Sequence, residues 1–367
     1  MHVKWKVEHY RDGKKIAEYN GRNSFVQGGS GWLAAALGHQ TSAGLATDDE
    51  GGTSRNPFAT FFTNAGARRY HTAFQNSVSY GIHVGTDDTA VDPTDYALGS
   101  HIDNGTGGGE LSYGTLTISA LTADGTDGYY FNCSRPFTNN SGGTITVKEI
   151  GLVGGMNDGT GGRIFYMLRD VITPIELLNG DATTITYQFY FAKDQGWTKQ
   201  MGAIFREYGT ASGTTNGKDT GGTIRAMQMW CQTNDYVSLQ YYVPSAGGSN
   251  RGIQVGSGDT AMTIDDYALD TLIANGTGAG QLSYGAQSER SSIAVNSDEQ
   301  KVVGITRAFT NNSGGDVTIK EVGFVAGWYY ASGTNGYFLL WRKVLDTPVT
   351  LSPGETYTVY WQPIVNA

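Results

Sequence analysis

The stretch FTNNSGGTITVKEIG, residues 137–151, returns 172 positions further along the chain as FTNNSGGDVTIKEVG, residues 309–323. In both copies the second half alternates polar and apolar residues, which is the period of a half-buried β-strand. The Asn-Ser-Gly-Gly segment before it supplies residues that tolerate the left-handed backbone of a tight turn. The stretch therefore predicts a turn followed by a strand, and its return predicts the same unit twice.

Matching segments extend outward from this stretch on both sides. Their order is the same in both halves of the chain, and the offset drifts only between 171 and 174 residues. A repeat of this length indicates a tandem pair of structural units. The matched pairs are Val84–Ala90 with Val255–Ala261, Asp95–Leu98 with Asp266–Leu269, Asn104–Gly107 with Asn275–Gly278, Leu111–Gly114 with Leu282–Gly285, Arg169 with Arg342, and Pro174 with Pro348.

The repeat divides the chain into four regions. Short strands, frequent turns and no long amphipathic helix predict an all-β fold, with two tandem β-sandwich or jelly-roll-like domains and a few short helical turns. The regions are 1–75, with an N-terminal β-hairpin, a short helix at Ser30–Leu37 and an irregular segment; 76–195, the first β repeat; 196–249, a structured connection with strands at Thr223–Gln232 and Tyr236–Val243; and 250–367, the second β repeat.

The composition and the motifs exclude several classes of function. A net charge of −9 leaves no basic face for phosphates, so we expect no direct binding of nucleic acid. No apolar run reaches the roughly 18 residues of a membrane span, and the first residues lack the apolar core of a signal peptide. Cys133 and Cys231 form no metal-binding motif, and no nucleophile elbow, phosphate loop or dinucleotide fingerprint occurs. We therefore expect no cofactor and no enzymatic activity.

The repeated Lys-Glu dipeptide is the first candidate site. Strand alternation places Lys148 and Glu149 on opposite faces, with apolar residues around the glutamate. A carboxylate in this position is more typical of a structural ion pair with an arginine than of a general base, which is the alternative interpretation. Two arginines recur near each copy. The predicted structural ion pairs join Glu149 to Arg135 or Arg169, and Glu321 to Arg307 or Arg342.

The acidic cluster formed by Asp87, Asp88, Asp92 and Asp95 is a weaker candidate. Calcium prefers oxygen ligands of this kind, so the cluster is a hypothesis for a calcium site. Its spacing departs from the twelve-residue helix–loop–helix pattern, and the second copy carries a different set of acids. Turn and cap formation accounts for most of these residues, so no metal site is predicted.

Three short motifs follow one another along the first half of the chain. They are Asn23 with Gly28–Ala34, then Val84–Asp87 followed by Asp95–Leu98, and then Val147–Leu152 with an apolar strand that ends at Arg169. In this order they resemble the attachment domains of tail-collar and tail-fibre proteins of tailed bacteriophages. The resemblance implies a virion protein, synthesised in the host cytoplasm, that forms homo-oligomers and contacts other virion structural proteins.

The duplication favours a neck or collar, tail-surface or head-decoration component over a full fibre, since no shaft or receptor-binding tip follows the second copy. We expect a non-enzymatic structural protein that acts by self-assembly and docking. The alternative is a carbohydrate-binding adhesin or receptor-recognition module, in which Trp328, Tyr329 and Tyr330 stack on sugars or lie at a subunit interface. A glycan depolymerase needs two carboxylates across a cleft, and the sequence nominates no such pair.

Overall fold

The computed structural model shows an all-β fold, as the sequence predicts. Strands make up the bulk of the described residues, and a helix, α1, spans Lys199–Thr210. The predicted helix at Ser30–Leu37 and the predicted strand at Tyr236–Val243 lie outside the described residues. The structure describes residues 1–22, 24–29, 47–55, 78–157, 162–210, 214–228, 244–290, 299–301, 304–329, 335–361 and 364–366.

The larger sheet of the first repeat includes the N-terminal hairpin. The predicted hairpin is present, and Asp12 and Gly13 form its turn with φ values of 50° and 72°. The strands are β1 (His2–Arg11), β2 (Lys14–Arg22), β7 (Ser112–Tyr113), β8 (Thr117–Ile118), β9 (Thr122–Asp124), β10 (Gly128–Thr138) and β13 (Ala182–Ala192). They are antiparallel in the order β2-β1-β13-β10-β7, and β8 and β9 also pair with β10.

The smaller sheet of the first repeat contains the strand predicted from the repeated stretch. Its strands are β3 (Ser24–Phe25), β6 (Gly81–Gly85), β11 (Ile145–Asn157) and β12 (Gly162–Leu177), in the order β3-β12-β11-β6. The turn before β11 is also as predicted. Gly142 has a φ of 81°, and the buried Asn139 amide donates to the carbonyls of Gly143 and Leu177, each at 2.7 Å. One hydrophobic core contains residues from both sheets.

The second repeat folds in the same register as the first. Its strands are β16 (Gly252–Gly256), β20 (Val317–Tyr329) and β21 (Asn335–Leu351) in one sheet, β17 (Ser283–Arg290), β19 (Gly304–Thr310) and β22 (Thr356–Trp361) in another, and the pair β18 (Glu299–Lys301) and β23 (Ile364–Asn366). Register shifts interrupt β11 beside Glu149 and β20 beside Glu321, so even the irregularities of the strands are repeated.

The connection between the repeats has structure of its own, as predicted, but part of it is helical. The hairpin β14 (Thr214–Lys218) and β15 (Ile224–Gln228) contains part of the strand predicted at Thr223–Gln232. The helix α1 has 12 residues and is longer than the short helical turns that the sequence predicts. Met201, Ile204 and Phe205 recur there at helical spacing and are all buried.

α1 joins the two repeats. Phe205 packs against Phe189 and Phe191 of β13, with ring centroids 5.7 and 5.5 Å apart. Just before the helix, the Thr198 hydroxyl donates to the carbonyl of Leu339 on β21 at 2.6 Å. Most buried apolar residues of both repeats belong to one continuous cluster, so the repeats share a core.

Candidate functional site

Glu149 lies at the centre of a buried polar cluster in the first repeat. Its side chain is fully buried on β11 and accepts a hydrogen bond from Arg169 Nε at 3.0 Å. The backbone amides of Gly99 and Ser100 donate to the same carboxylate at 3.0 and 2.8 Å. A buried carboxylate needs an ionic partner and hydrogen-bond donors, and this one has both. Glu149 therefore ties the loop 86–100 to the sheet.

Arg169 connects the cluster to carboxylates of the same loop. Its Nη1 donates to Asp95 at 2.6 Å and its Nη2 to Asp87 at 3.2 Å. Burial by itself lowers the pKa of Arg169. The hydrogen bonds and charges of Asp95 and Glu149 outweigh this effect, so the pKa of Arg169 lies above its ordinary value. Arg169, of which 2% is exposed, remains charged, and its guanidinium donates to acceptors from all three nitrogens.

Glycine opposite the glutamate gives the carboxylate its space. Gly85 on β6 pairs in register with Glu149 on β11. A Cβ atom at Gly85 would clash with Glu149 Oε1 and with the carbonyl of Ser100. Gly256 stands in the same relation to Glu321. Close approach of a side chain therefore explains why glycine occurs at this position in both repeats.

The second repeat rebuilds the cluster with its own residues. Arg342 Nε donates to the fully buried Glu321 at 2.7 Å. The amides of Thr271 and Asp270 donate to the same carboxylate at 2.8 and 3.1 Å. Arg342 Nη1 donates to Asp266 at 2.5 Å. The carboxylate, the guanidinium and the loop amides thus occupy equivalent places in both repeats.

The structure brings Arg169 and Arg342 to the glutamates, and places Arg135 and Arg307 elsewhere. Arg135 on β10 donates from Nη1 to the carbonyl of Ile82 on the facing sheet at 2.9 Å. Arg307 on β19 donates to the carbonyl of Ile253 at 2.9 Å. Burial lowers the pKa of Arg307 to about 10. These two side chains cross the core because their strands lie in the sheet opposite the one that carries the glutamate.

The four acidic residues considered for calcium have other partners. Asp87 and Asp95 bind the guanidinium at the centre of the cluster. Asp88 pairs with Lys148 at 2.8 Å, and Asp92 accepts hydrogen bonds within its own turn. Across the described ranges, no group of three or more His, Cys, Asp and Glu side chains is arranged to hold a metal ion. Ion pairing and turn formation account for these four residues.

A histidine–tyrosine cluster occurs in the first repeat. His83 Nδ1 lies 3.1 Å from Tyr166 Oη, and the His83 ring centroid lies 4.9 Å from that of His101. Burial lowers the pKa of His83 to about 3. Gln254 occupies the matching strand position in the second repeat, so the cluster is not duplicated. No sequence pattern indicated it, because its members come from three separate segments.

A groove of about 500 Å³ crosses the outer face of the larger sheet, over β1, β10 and β13. Gln188 Nε2 donates to Asn132 Oδ1 at 3.3 Å, and Ser134 Oγ lies 2.8 Å from Thr186 Oγ1. The sequence did not single out this groove, because alternate polar positions are typical of any solvated sheet face. Its polar lining consists of Lys4, Lys6, Glu8, Asn20, Asn132, Ser134, Thr184, Thr186 and Gln188.

Two of the three aromatic residues predicted to stack on sugars lie at the end of β20. The backbone of Trp328 and Tyr329 belongs to this strand. The side chains of these two residues, and the whole of Tyr330, lie outside the part of the chain that the structure describes. Sugar stacking at this position stays a prediction.

A short hairpin also occurs twice and extends the duplication. The Asp49 carboxylate accepts hydrogen bonds from Arg55 Nε at 2.8 Å and from two backbone amides. Asp219 accepts from Arg225 Nε at 3.0 Å and from a backbone amide in the same arrangement. The pattern Asp-x-Gly-Gly-Thr-x-Arg begins at each aspartate and would have revealed this match. The strands of the first hairpin are β4 (Thr47–Asp48) and β5 (Ser54–Arg55).

Comparisons with known proteins give no assignment. No family model matches the sequence, and no curated protein or solved structure is significantly similar to it. Of the helices within the described ranges, none has the length and apolar character that a membrane crossing requires.

Proposed function

We propose that this chain is a non-enzymatic structural component of a bacteriophage virion, which acts by self-assembly and by docking to other virion proteins. The observation that carries the proposal is the duplication of a β unit together with its buried Glu–Arg cluster. A chain with two equivalent units can occupy two quasi-equivalent positions in a symmetric ring or lattice. The order of sequence motifs supports a place in the neck or collar, on the tail surface or on the head.

The chemistry of the two clusters supports a structural role. Glu149 and Glu321 are fully buried, and each carboxylate already accepts hydrogen bonds from an arginine and from backbone amides. A general base must come within hydrogen-bond distance of a substrate proton. Carboxylates enclosed in this way hold loops against sheets, and the duplication keeps this arrangement in both units.

Multi-angle light scattering on the purified full-length chain, with negative-stain microscopy of the same peak, tests the proposal. We expect a defined multimer that forms rings, tubes or lattice-like particles. A chain that remains monomeric across the accessible concentration range would contradict self-assembly.

Carbohydrate binding is the second candidate function, and the outer groove favours it. Amide and hydroxyl groups, which both donate and accept hydrogen bonds, line this groove in cross-strand rows. At one end of the same face, Tyr190 stacks on His2 with ring centroids 4.8 Å apart. Such a face offers hydrogen bonds and a ring surface to a sugar.

A glycan array tests this candidate with the full-length chain. We expect specific binding that is lost when Asn132 and Gln188 are both replaced by alanine. Asn140→Ala is the matched control, because Asn140 is exposed and lies outside the groove. Binding that survives the double substitution would remove the groove as the site, and no binding by the unmodified chain would remove the candidate function.

A further inference from the structure

The two repeats differ at one sheet edge. In the first repeat, β13 pairs with β10 on one side and with β1 of the N-terminal hairpin on the other. In the second repeat, β22 pairs with β19, and no described strand pairs with its other side. The register shows that the two strands correspond, because Ile185 lies opposite Arg135 and Val359 lies opposite Arg307. Among the described strands, β22 is therefore the counterpart of β13 without a covering neighbour.

Side-chain exposure follows this difference. Thr184 and Thr186 on β13 pair with Glu8 and Lys6 of β1 and are half-buried. Their counterparts Thr358 and Tyr360 on β22 are exposed, and Thr356 at the start of the strand is exposed as well. The row of residues that contacts the hairpin region in the first repeat therefore faces solvent in the second.

The direction of the backbone groups on β22 follows from the first repeat. Gly114 donates its N–H to the carbonyl of Pro136 at 2.8 Å, so Pro136 directs its backbone groups away from β13. Thr184 lies opposite Pro136 and therefore directs its own amide and carbonyl toward β1. Thr358 lies opposite Ala308 in the equivalent place. The amide and carbonyl of Thr358 therefore point out of the sheet edge.

The sequence of β22 lacks the features that usually protect an edge strand. The outermost strand of the first sheet, β2, carries Lys14, Lys15, Glu18 and Arg22. Charged residues of this kind discourage edge-to-edge pairing. β22 reads Thr-Tyr-Thr-Val-Tyr-Trp, with no charge, no proline and only residues of high strand propensity. Its outer edge is a template for an added strand.

We infer that β22 pairs antiparallel with β22 of a second copy of this chain, about a twofold axis at Thr358; this inference deepens the self-assembly proposed above and rests on it. In such a pair Thr358 faces its symmetry mate, and Thr356 faces Tyr360. Like charges directly opposite each other destabilise a pair of identical strands, and an uncharged strand avoids this. The pairing gives partners to the outward amide and carbonyl of Thr358 and joins the sheets of two chains.

Thr358→Pro tests the pairing directly. Proline removes the outward N–H but leaves the bonds to β19, which use the neighbouring residues of β22. Thr358→Val is the matched control, because valine keeps both the N–H and the branched side chain. By light scattering we expect T358V to match the unmodified multimer and T358P to have about half its mass. Circular dichroism spectra that coincide would show that T358P keeps the fold.

A charge-complementation pair tests the position of the axis. Thr358→Lys and Thr358→Glu each place like charges opposite each other, so each variant alone is expected at about half the multimer mass. A mixture of the two is expected to recover the full mass. A mixture that stays at half mass would overturn the axis at Thr358.

Two other outcomes separate this inference from the proposed function. A T358P multimer of unchanged mass would overturn the pairing of β22, while self-assembly through another surface would stand. An unmodified chain that is monomeric would overturn both.

Discussion

Replacing Glu149 by alanine is expected to destabilise the protein strongly. The change removes the carboxylate that accepts hydrogen bonds from Arg169 and from the amides of Gly99 and Ser100. Removing one partner of a buried ion pair costs about 3–5 kcal/mol, because the remaining charge stays buried. Arg169 keeps its contact with Asp95 at 2.6 Å, which reduces the loss. We therefore expect the free energy of unfolding to fall by about 3 kcal/mol.

Thermal unfolding followed by circular dichroism measures this loss. A change of 1 kcal/mol shifts Tm by roughly 2–4 °C in a unit of 150–250 residues and by less in a longer one, so E149A should lower the Tm of the two repeats, which share a core, by several degrees. Glu321→Ala is expected to act similarly, and the two losses should add, because the clusters share no residue.

Lys148→Ala is the matched control for this experiment. Lys148 precedes Glu149 in the chain but lies on the other strand face, in a solvent-accessible pair with Asp88 at 2.8 Å. Exposed ion pairs contribute little to stability, so K148A should leave Tm nearly unchanged. Equal effects of K148A and E149A would refute the structural role of the buried cluster.

Three further changes test other parts of the structure. Asn139→Ala is expected to lower the free energy of unfolding by about 2 kcal/mol in urea, because the buried amide holds the turn before β11, whereas Asn140→Ala at the exposed neighbour should have little effect. Stability is expected to fall as pH decreases from 6.5 toward 3. Over this range His83 takes up a proton in the unfolded chain but not in the folded chain, where burial lowers its pKa to about 3. His83→Gln should therefore flatten this part of the curve of stability against pH. Asp181→Asn is expected to speed hydrogen exchange in β1, because it removes the ion pair in which Asp181 binds Arg11 of this strand at 2.8 Å. The same bond lowers the pKa of Asp181, so its stabilisation is present near neutral pH and is lost in acid. Equal effects of N139A and N140A would contradict the role of the turn. A pH dependence of stability that H83Q leaves unchanged would contradict the role of His83, and unchanged exchange in β1 of D181N would contradict the role of Asp181.

The turn and strand at 137–151 were predictable because their information is local. Alternation over a few residues indicates a strand without reference to its partner, and the burial of Glu149 follows from the same alternation. Which arginine pairs with Glu149 does not follow from the alternation, since Arg135 and Arg169 both recur in the second copy. That choice depends on sheet order, which places Arg169 on the adjacent β12 and Arg135 on the facing sheet. The periodicity of the sequence does not predict the order of the strands in the sheets.

Other features depend on tertiary contacts or on a weaker repeat. The apolar face of α1 is defined by its contacts with both repeats, and the groove and the histidine–tyrosine cluster combine residues far apart in the chain. The hairpins at Asp49 and Asp219 are different, because their pattern is local and repeated. They show that the duplication extends beyond the repeats at 76–195 and 250–367.

Cryo-electron microscopy of the assembled protein tests the central claim most directly, namely that the duplicated β unit is a building block of a symmetric particle. We expect a closed or lattice-like arrangement in which the sheets of neighbouring chains continue across paired β22 strands. Particles that contain single chains, with β22 facing solvent and no recurring contact between copies, would contradict it.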